Sequence, residues 1–158
     1  MAKKLSTFGS GPLIFLWVLP YLLAAGWIDR LYPALFSVNA IPFDAARYGA
    51  LILAAAGAFF YSMTIRRLLR GLRETRLITD GPYGWSRNPL YAAFFVFFIP
   101  AIALAMRSWL VLTTCVVFYG AFRVTIGREE KEMTEHFGDE YRRYCARTSL
   151  LFPLPPKK

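Results

Sequence analysis

The chain is poor in the residues that build metal centres and disulfide frameworks. It has a single histidine, His136, and two cysteines, Cys115 and Cys145. No Cys/His cluster has the spacing of a zinc site, so no metal is expected. Cys115 lies inside an apolar run and Cys145 in a polar segment placed in the cytosol below, which leaves no expected disulfide. Acids are scarce too, with 10 Asp and Glu against 19 Lys and Arg and a net charge of +9. The position of the charge-free stretches matters more. Residues 12–28, 48–65, 89–106 and 108–122 contain no Asp, Glu, Lys or Arg. Four helices without a polar face could not all be buried in a soluble bundle of this size.

What is present is hydrophobic, at 56% of residues, and aromatic, at 17%. A helix rises about 1.5 Å per residue, so ~20 residues cross a hydrocarbon core of ~30 Å. We therefore expect an all-α polytopic membrane protein, one domain over 1–158, with about four transmembrane helices near 12–28, 45–65, 89–106 and 108–123. The last is short and needs Arg107 or Arg123 to snorkel from its ends. The first follows Lys3 and Lys4 and precedes Leu23-Ala24-Ala25-Gly26, as a cleaved signal would. Its apolar run exceeds the ~7–15 residues of a signal core, so it is read as a retained span.

Basic residues set the orientation. With the N-terminus inside, sixteen of the 19 Lys and Arg are cytosolic; only Arg30, Arg47 and Arg107 are not. The positive-inside rule then puts both termini and residues 66–88 in the cytosol. The membrane would be an inner or plasma membrane in a prokaryote and of endoplasmic-reticulum type in a eukaryote. Topology and anionic lipid headgroups account for the positive charge, so no nucleic-acid partner is inferred.

Along the chain, Pro20 is expected to kink span one, and Pro33 and Pro42 break residues 31–43 into an interfacial loop. Span two should continue into an arginine-rich helix, in which Arg66, Arg70 and Arg73 form a cationic stripe at headgroup level. Asp80-Gly81-Pro82 and Asn88-Pro89 are turn formers, and Pro89 suits the first position of span three. Spans three and four should form a tight hairpin about Arg107. After span four, Glu129, Glu130 and Glu132 are expected to open a new cytosolic amphipathic helix, where acids favour the positive dipole end. Its face is Glu130, Met133, Phe137, Tyr141 and Tyr144, bent near Gly138. The proline-rich tail 151–158 is not expected to be helical.

Two cytosolic segments, 75–91 and 123–147, therefore share one membrane side. Together they could roof a pocket with exposed backbone N–H groups, the acids Glu129 and Glu130, and the aromatics Tyr83, Trp85 and Tyr91. That combination suits a polar cofactor with an adenine and a ribose. The aromatics also fit an interfacial belt, and the two acids a simple helix cap.

The wording of the two segments is informative. Leu77-Ile78-Thr79-x-Gly81-Pro82-Tyr83-x-x-x-Arg87-Asn88-Pro89-x-Tyr91 resembles a signature of the isoprenylcysteine carboxyl methyltransferase and phospholipid methyltransferase superfamily. Its second half resembles Glu129-Glu130-x-x-Met133-x-x-x-Phe137-Gly138-x-x-Tyr141-x-x-Tyr144. The resemblance implies an integral-membrane methyltransferase that uses S-adenosylmethionine and a lipophilic substrate from the membrane. It assigns cofactor binding to Leu77, Ile78, Tyr83, Asn88, Pro89, Tyr91, Glu129 and Glu130. Arg123 matches an arginine that engages an acceptor carboxylate, with Arg128 the alternative. The isoprenylcysteine enzymes typically carry His where this chain has Asn88, which cannot act as a proton carrier near neutral pH. If the acceptor is an amine, Glu129, Glu130 or Tyr83 is the candidate base. The competing readings are an NADPH-dependent membrane lipid or sterol-type reductase, whose cytosolic elements are similar, and a non-catalytic membrane scaffold.

Overall fold

The computed structural model describes residues 11–74 and 76–152. The N-terminal arm with Lys3 and Lys4, and the tail from Pro153 to Lys158, lie outside the described residues. Among those described the regular structure is helical, with no strand. The elements are α1 (Gly11–Leu31), α2 (Pro33–Phe36), α3 (Phe43–Glu74), α4 (Pro82–Trp85) and α5 (Pro89–Ala93). A π-helical segment (Phe94–Phe98) then leads into α6 (Ile99–Met106), α7 (Trp109–Leu112), α8 (Thr114–Phe137) and α9 (Asp139–Arg147).

Four helical stretches are long and apolar enough to cross a membrane: Gly11–Leu31, Phe43–Glu74, Pro89–Met106 and Trp109–Phe137. Their outward faces carry large apolar side chains such as Leu16, Trp17, Ile52, Phe59 and Val124, which water would not tolerate in such number. The four expected spans are all present.

Proline marks where helices begin. Pro33, Pro82 and Pro89 each sit in the first turn of a helix, where a missing N–H costs nothing. Pro20 lies within α1, which remains a continuous helix. Pro100 removes a hydrogen bond and crowds the carbonyl one turn earlier, and the preceding turn widens into the π segment.

The long helix α3 buries a spaced row of small residues, Ala46, Ala50, Gly57, Thr64 and Gly71. Gly57 admits close approach of the third span, as small residues do between membrane helices, and Gly71 makes room for Ile78. A Cβ on Gly57 would stand 2.7 Å from Phe97 Cβ. The core joins Ile14 and Val18 of α1 to Phe118, Phe122 and Ile126 of α8, with Ala92 and Ile99 between them.

The turn between α6 and α7 is as tight as expected. Arg107 adopts a left-handed conformation (φ 51°) and Ser108 caps α7, its Oγ accepting from Val111 N. Arg107 also donates to the Val38 carbonyl at 3.3 Å, which fastens the loop after α2 to this hairpin.

One expectation fails. Glu129, Glu130 and Glu132 do not open a new helix, because α8 runs unbroken from Thr114 to Phe137. A change from apolar to charged side chains alters the solvent a helix suits, not its backbone hydrogen bonds. The break comes at Gly138 (φ 55°), and Asp139 and Glu140 lie in the first turn of α9 instead.

Candidate functional site

The C-terminal end of α3, the stretch 76–91, the later half of α8 and α9 enclose a cavity of about 320 Å³. Leu77, Ile78, Tyr83, Asn88, Pro89, Tyr91, Glu129 and Glu130 all line it, so the eight expected cofactor residues converge on one space.

The two halves of the sequence signature meet through polar contacts. Tyr91 Oη donates to Glu129 Oε1 at 3.1 Å. Arg87 Nη2 stands 2.9 Å from Glu130 Oε1. The angle of that approach is poor for a hydrogen bond, and among the described residues Glu130 Oε1 and Arg87 Nε have no hydrogen-bond partner. We read the pair as a largely buried ion pair. Arg87 Nη1 donates to the Cys145 carbonyl at 3.0 Å, which ties α9 to the same guanidinium.

A strap formed by residues 149–151 holds the turn before α5. Ser86 Oγ donates to the Leu151 carbonyl at 3.0 Å, Arg87 N to the Ser149 carbonyl at 2.9 Å and Asn88 Nδ2 to the Leu150 carbonyl at 2.9 Å. Leu151 is buried in the core. Asn88 thus lines the cavity while its amide positions the strap. On the opposite wall, Tyr144 Oη donates to the Tyr83 carbonyl at 2.7 Å. Leu77 packs on Tyr141 and Tyr144, flanked by Met133 and Phe137.

Burial pushes the phenols of Tyr83, Tyr141 and Tyr144 well above their ordinary range. At Tyr83 the neighbouring Tyr144 and Glu129 push the same way, and at Tyr144 Arg87 partly opposes burial. Tyr83 therefore holds its proton at neutral pH, which removes it from the candidate bases and makes it a hydrogen-bond donor.

One other expectation changes. Trp85 does not line the cavity; it is 47% exposed at the end of α4. Arg123, expected to meet the acceptor rather than the cofactor, lies exposed on α8 one turn before Ile126, which lines the cavity. Sequence reasoning passed over Arg87 as a site residue although it stands in the signature beside Asn88. The lining role of Leu68, Gly71 and Leu72 had no local signal, because only the tertiary fold brings the end of α3 there.

Four apolar spans and a cavity at their end, apolar over most of its wall with a few charged groups, define an integral membrane protein with a site at the edge of the helical bundle. Residues 47–140, more than half of the chain, match the phospholipid methyltransferase family model, and the chain belongs to that family. It is 36% identical over 73 residues to methanethiol S-methyltransferase 1 of Bradyrhizobium diazoefficiens, covering 45% of this chain and 24% of that protein. It is 31% identical over 84 residues to protein-S-isoprenylcysteine O-methyltransferase of Schizosaccharomyces pombe, covering 53% and 36%. A third relative is nickel-cobalt-cadmium resistance protein NccN of Alcaligenes xylosoxydans xylosoxydans, 29% identical over 85 residues, covering 54% and 39%. The matches thus span only 24% to 39% of these curated relatives.

Proposed function

We propose that the cavity holds S-adenosylmethionine, and that the protein transfers its methyl group to a carboxylate or amine of a membrane lipid or lipidated substrate. One observation carries this reading: adjacent carboxylates, Glu129 and Glu130, are held by Tyr91 and Arg87 in the wall of a cavity of about 320 Å³. The size falls within the ~300–1,000 Å³ usual for small-molecule sites.

The residues fit the cofactor's chemistry. Leu77, Ile78 and Tyr83 offer an apolar and aromatic wall for a flat purine. Glu129 and Glu130 suit its positive charge or its ribose hydroxyls, and Arg87 or Arg76 suits its carboxylate. When bound, S-adenosylmethionine supplies an electrophilic methyl group on sulfur. The chain's own part is then to hold and orient the reactants and to exclude water. Fixing two reactants in line can lower the barrier by ~7–11 kcal/mol. A carboxylate acceptor arrives ionised and needs no base. An amine acceptor must lose a proton, and Glu129 or Glu130 takes it, since Tyr83 keeps its own. Arg123, just membrane-ward of Ile126, is the proposed anchor for an acidic group on the acceptor, with Arg128 the alternative.

The start of α1 lies against the site, since a Cβ on Gly11 would stand 3.8 Å from Tyr91 Oη. That juxtaposition supports the N-terminus and the cavity sharing one side. The basic residues make that side the cytosolic face.

The test is transfer of radiolabel from methyl-labelled S-adenosylmethionine into a total membrane extract by the detergent-purified protein. Label in a lipid or lipid-modified fraction, lost in Glu130→Ala, is the expected result. No transfer to any fraction of the extract by folded protein would overturn the reading.

A further inference from the structure

A second hollow, of about 680 Å³, lies along α3 and is separate from the cavity. Ala58, Phe59 and Met63 form its apolar part, and Arg66, Arg67 and Arg70 its rim, with Asp80 reaching over from the turn before α4. At 3.6 residues per turn, Arg66 stands about 160° around α3 from Leu68, which lines the cavity. The hollow therefore faces away from the reacting groups, toward whatever surrounds the helices. Phe59 is 72% exposed there, in a stretch apolar enough to lie in the bilayer.

The charged rim is partly fixed. Arg67 Nε donates to Asp80 Oδ2 at 3.2 Å, and a Cβ on Gly81 would overlap the same guanidinium, so glycine lets Arg67 lie across the turn. Arg66 and Arg70, one turn apart, are exposed and have no ion-pair partner among the described residues. Three guanidiniums against one carboxylate leave an anion-seeking rim directly above an apolar strip. Phe59 to Arg70 spans about 16 Å along the helix, at 1.5 Å per residue, enough for a headgroup, a glycerol and the upper part of an acyl chain.

We propose that this groove binds an anionic phospholipid, with the phosphate between Arg66 and Arg70 and an acyl chain over Phe59 and Ala58. The arginine fork matches phosphate oxygens, and the lipid lies on the far side of α3 from the cavity. Through Arg67 and Asp80 the site adjoins the turn that carries Tyr83.

Native mass spectrometry of the full chain in detergent, titrated with phosphatidylglycerol or phosphatidylcholine of matched short chains, tests this. The wild type is expected to retain phosphatidylglycerol at least about tenfold more strongly, from roughly 1 kcal/mol for each basic residue at the surface. Arg66→Gln with Arg70→Gln is expected to bring the preference below about threefold. The same charge removed by Arg142→Gln with Arg143→Gln on α9 leaves it unchanged, and millimolar inorganic phosphate does not displace the lipid. Circular dichroism confirms that each variant keeps its helix content. The proposal is overturned by a wild type without preference, by retention in the α3 variant, by equal loss in the α9 variant, or by displacement with phosphate.

Discussion

Arg87 Nη2 stands 2.9 Å from Glu130 Oε1, and the same guanidinium reaches the Cys145 carbonyl through Nη1. One side chain from the turn before α5 therefore fastens both α8 and α9. The side chains are only 14% and 30% exposed, so the pair is not a surface ornament. Arg87→Met leaves the Glu130 carboxylate without its cation and is expected to cost about 1.5–3 kcal/mol. Arg87→Lys restores less than half of that, because one ammonium cannot satisfy both partners with the fork geometry of a guanidinium. Thermal unfolding in a fixed detergent measures both; equal midpoints for wild type and Arg87→Met contradict the account.

Gly81 and Gly127 give opposite outcomes for the same substitution. Gly81 has a φ of +60° and Arg67 lies where its Cβ would be, so Gly81→Ala is expected to destabilise by about 1–2 kcal/mol or more. Gly127 lies within α8, and a Cβ there meets nothing within 4 Å. Gly127→Ala is expected to stabilise by up to about 1 kcal/mol. The ordering of the two melting temperatures is the readout, and a Gly81→Ala protein at least as stable as Gly127→Ala would refute it.

Three phenols, Tyr141 and Tyr144 buried and Tyr83 partly so, make stability fall in alkali. Tyr83, Tyr141 and Tyr144 hold their protons above the ordinary phenol pKa of about 10 when folded. Above that pH the unfolded chain binds fewer protons than the folded one, so unfolding is favoured as pH rises. Below it the same groups add no pH dependence. The melting temperature should decline from about pH 10 upward, and less steeply in Tyr141→Phe. A midpoint that rises between pH 10 and 11 would contradict these burial effects.

The sequence made the spans legible because each is a run of residues without charge, and lipid tolerates little else. It also made Pro89 legible as a helix start and Gly138 as a break, since each has a specific backbone preference. Eight of the residues that line the cavity were named through the wording of a two-part signature, not through periodicity. Three features lay beyond that reach. The apolar run ends near Phe122 while α8 continues to Phe137, because hydrophobicity tracks the surrounding solvent and helix hydrogen bonds do not. The strap onto Ser86 and Asn88 uses backbone carbonyls of residues 150 and 151, which carry no side-chain signal. Trp85 had the composition of a pocket residue, yet the short helix α4 turns it outward.

The most direct measurement is isothermal calorimetry on the detergent-purified chain with S-adenosylhomocysteine and, separately, NADPH. Micromolar binding of the first and none of the second is predicted, with affinity reduced about tenfold or more in Tyr91→Ala and in Glu130→Ala. Heat with NADPH alone, or unchanged S-adenosylhomocysteine binding in both folded variants, would contradict the placement of the cofactor between Tyr91 and the α8 carboxylates.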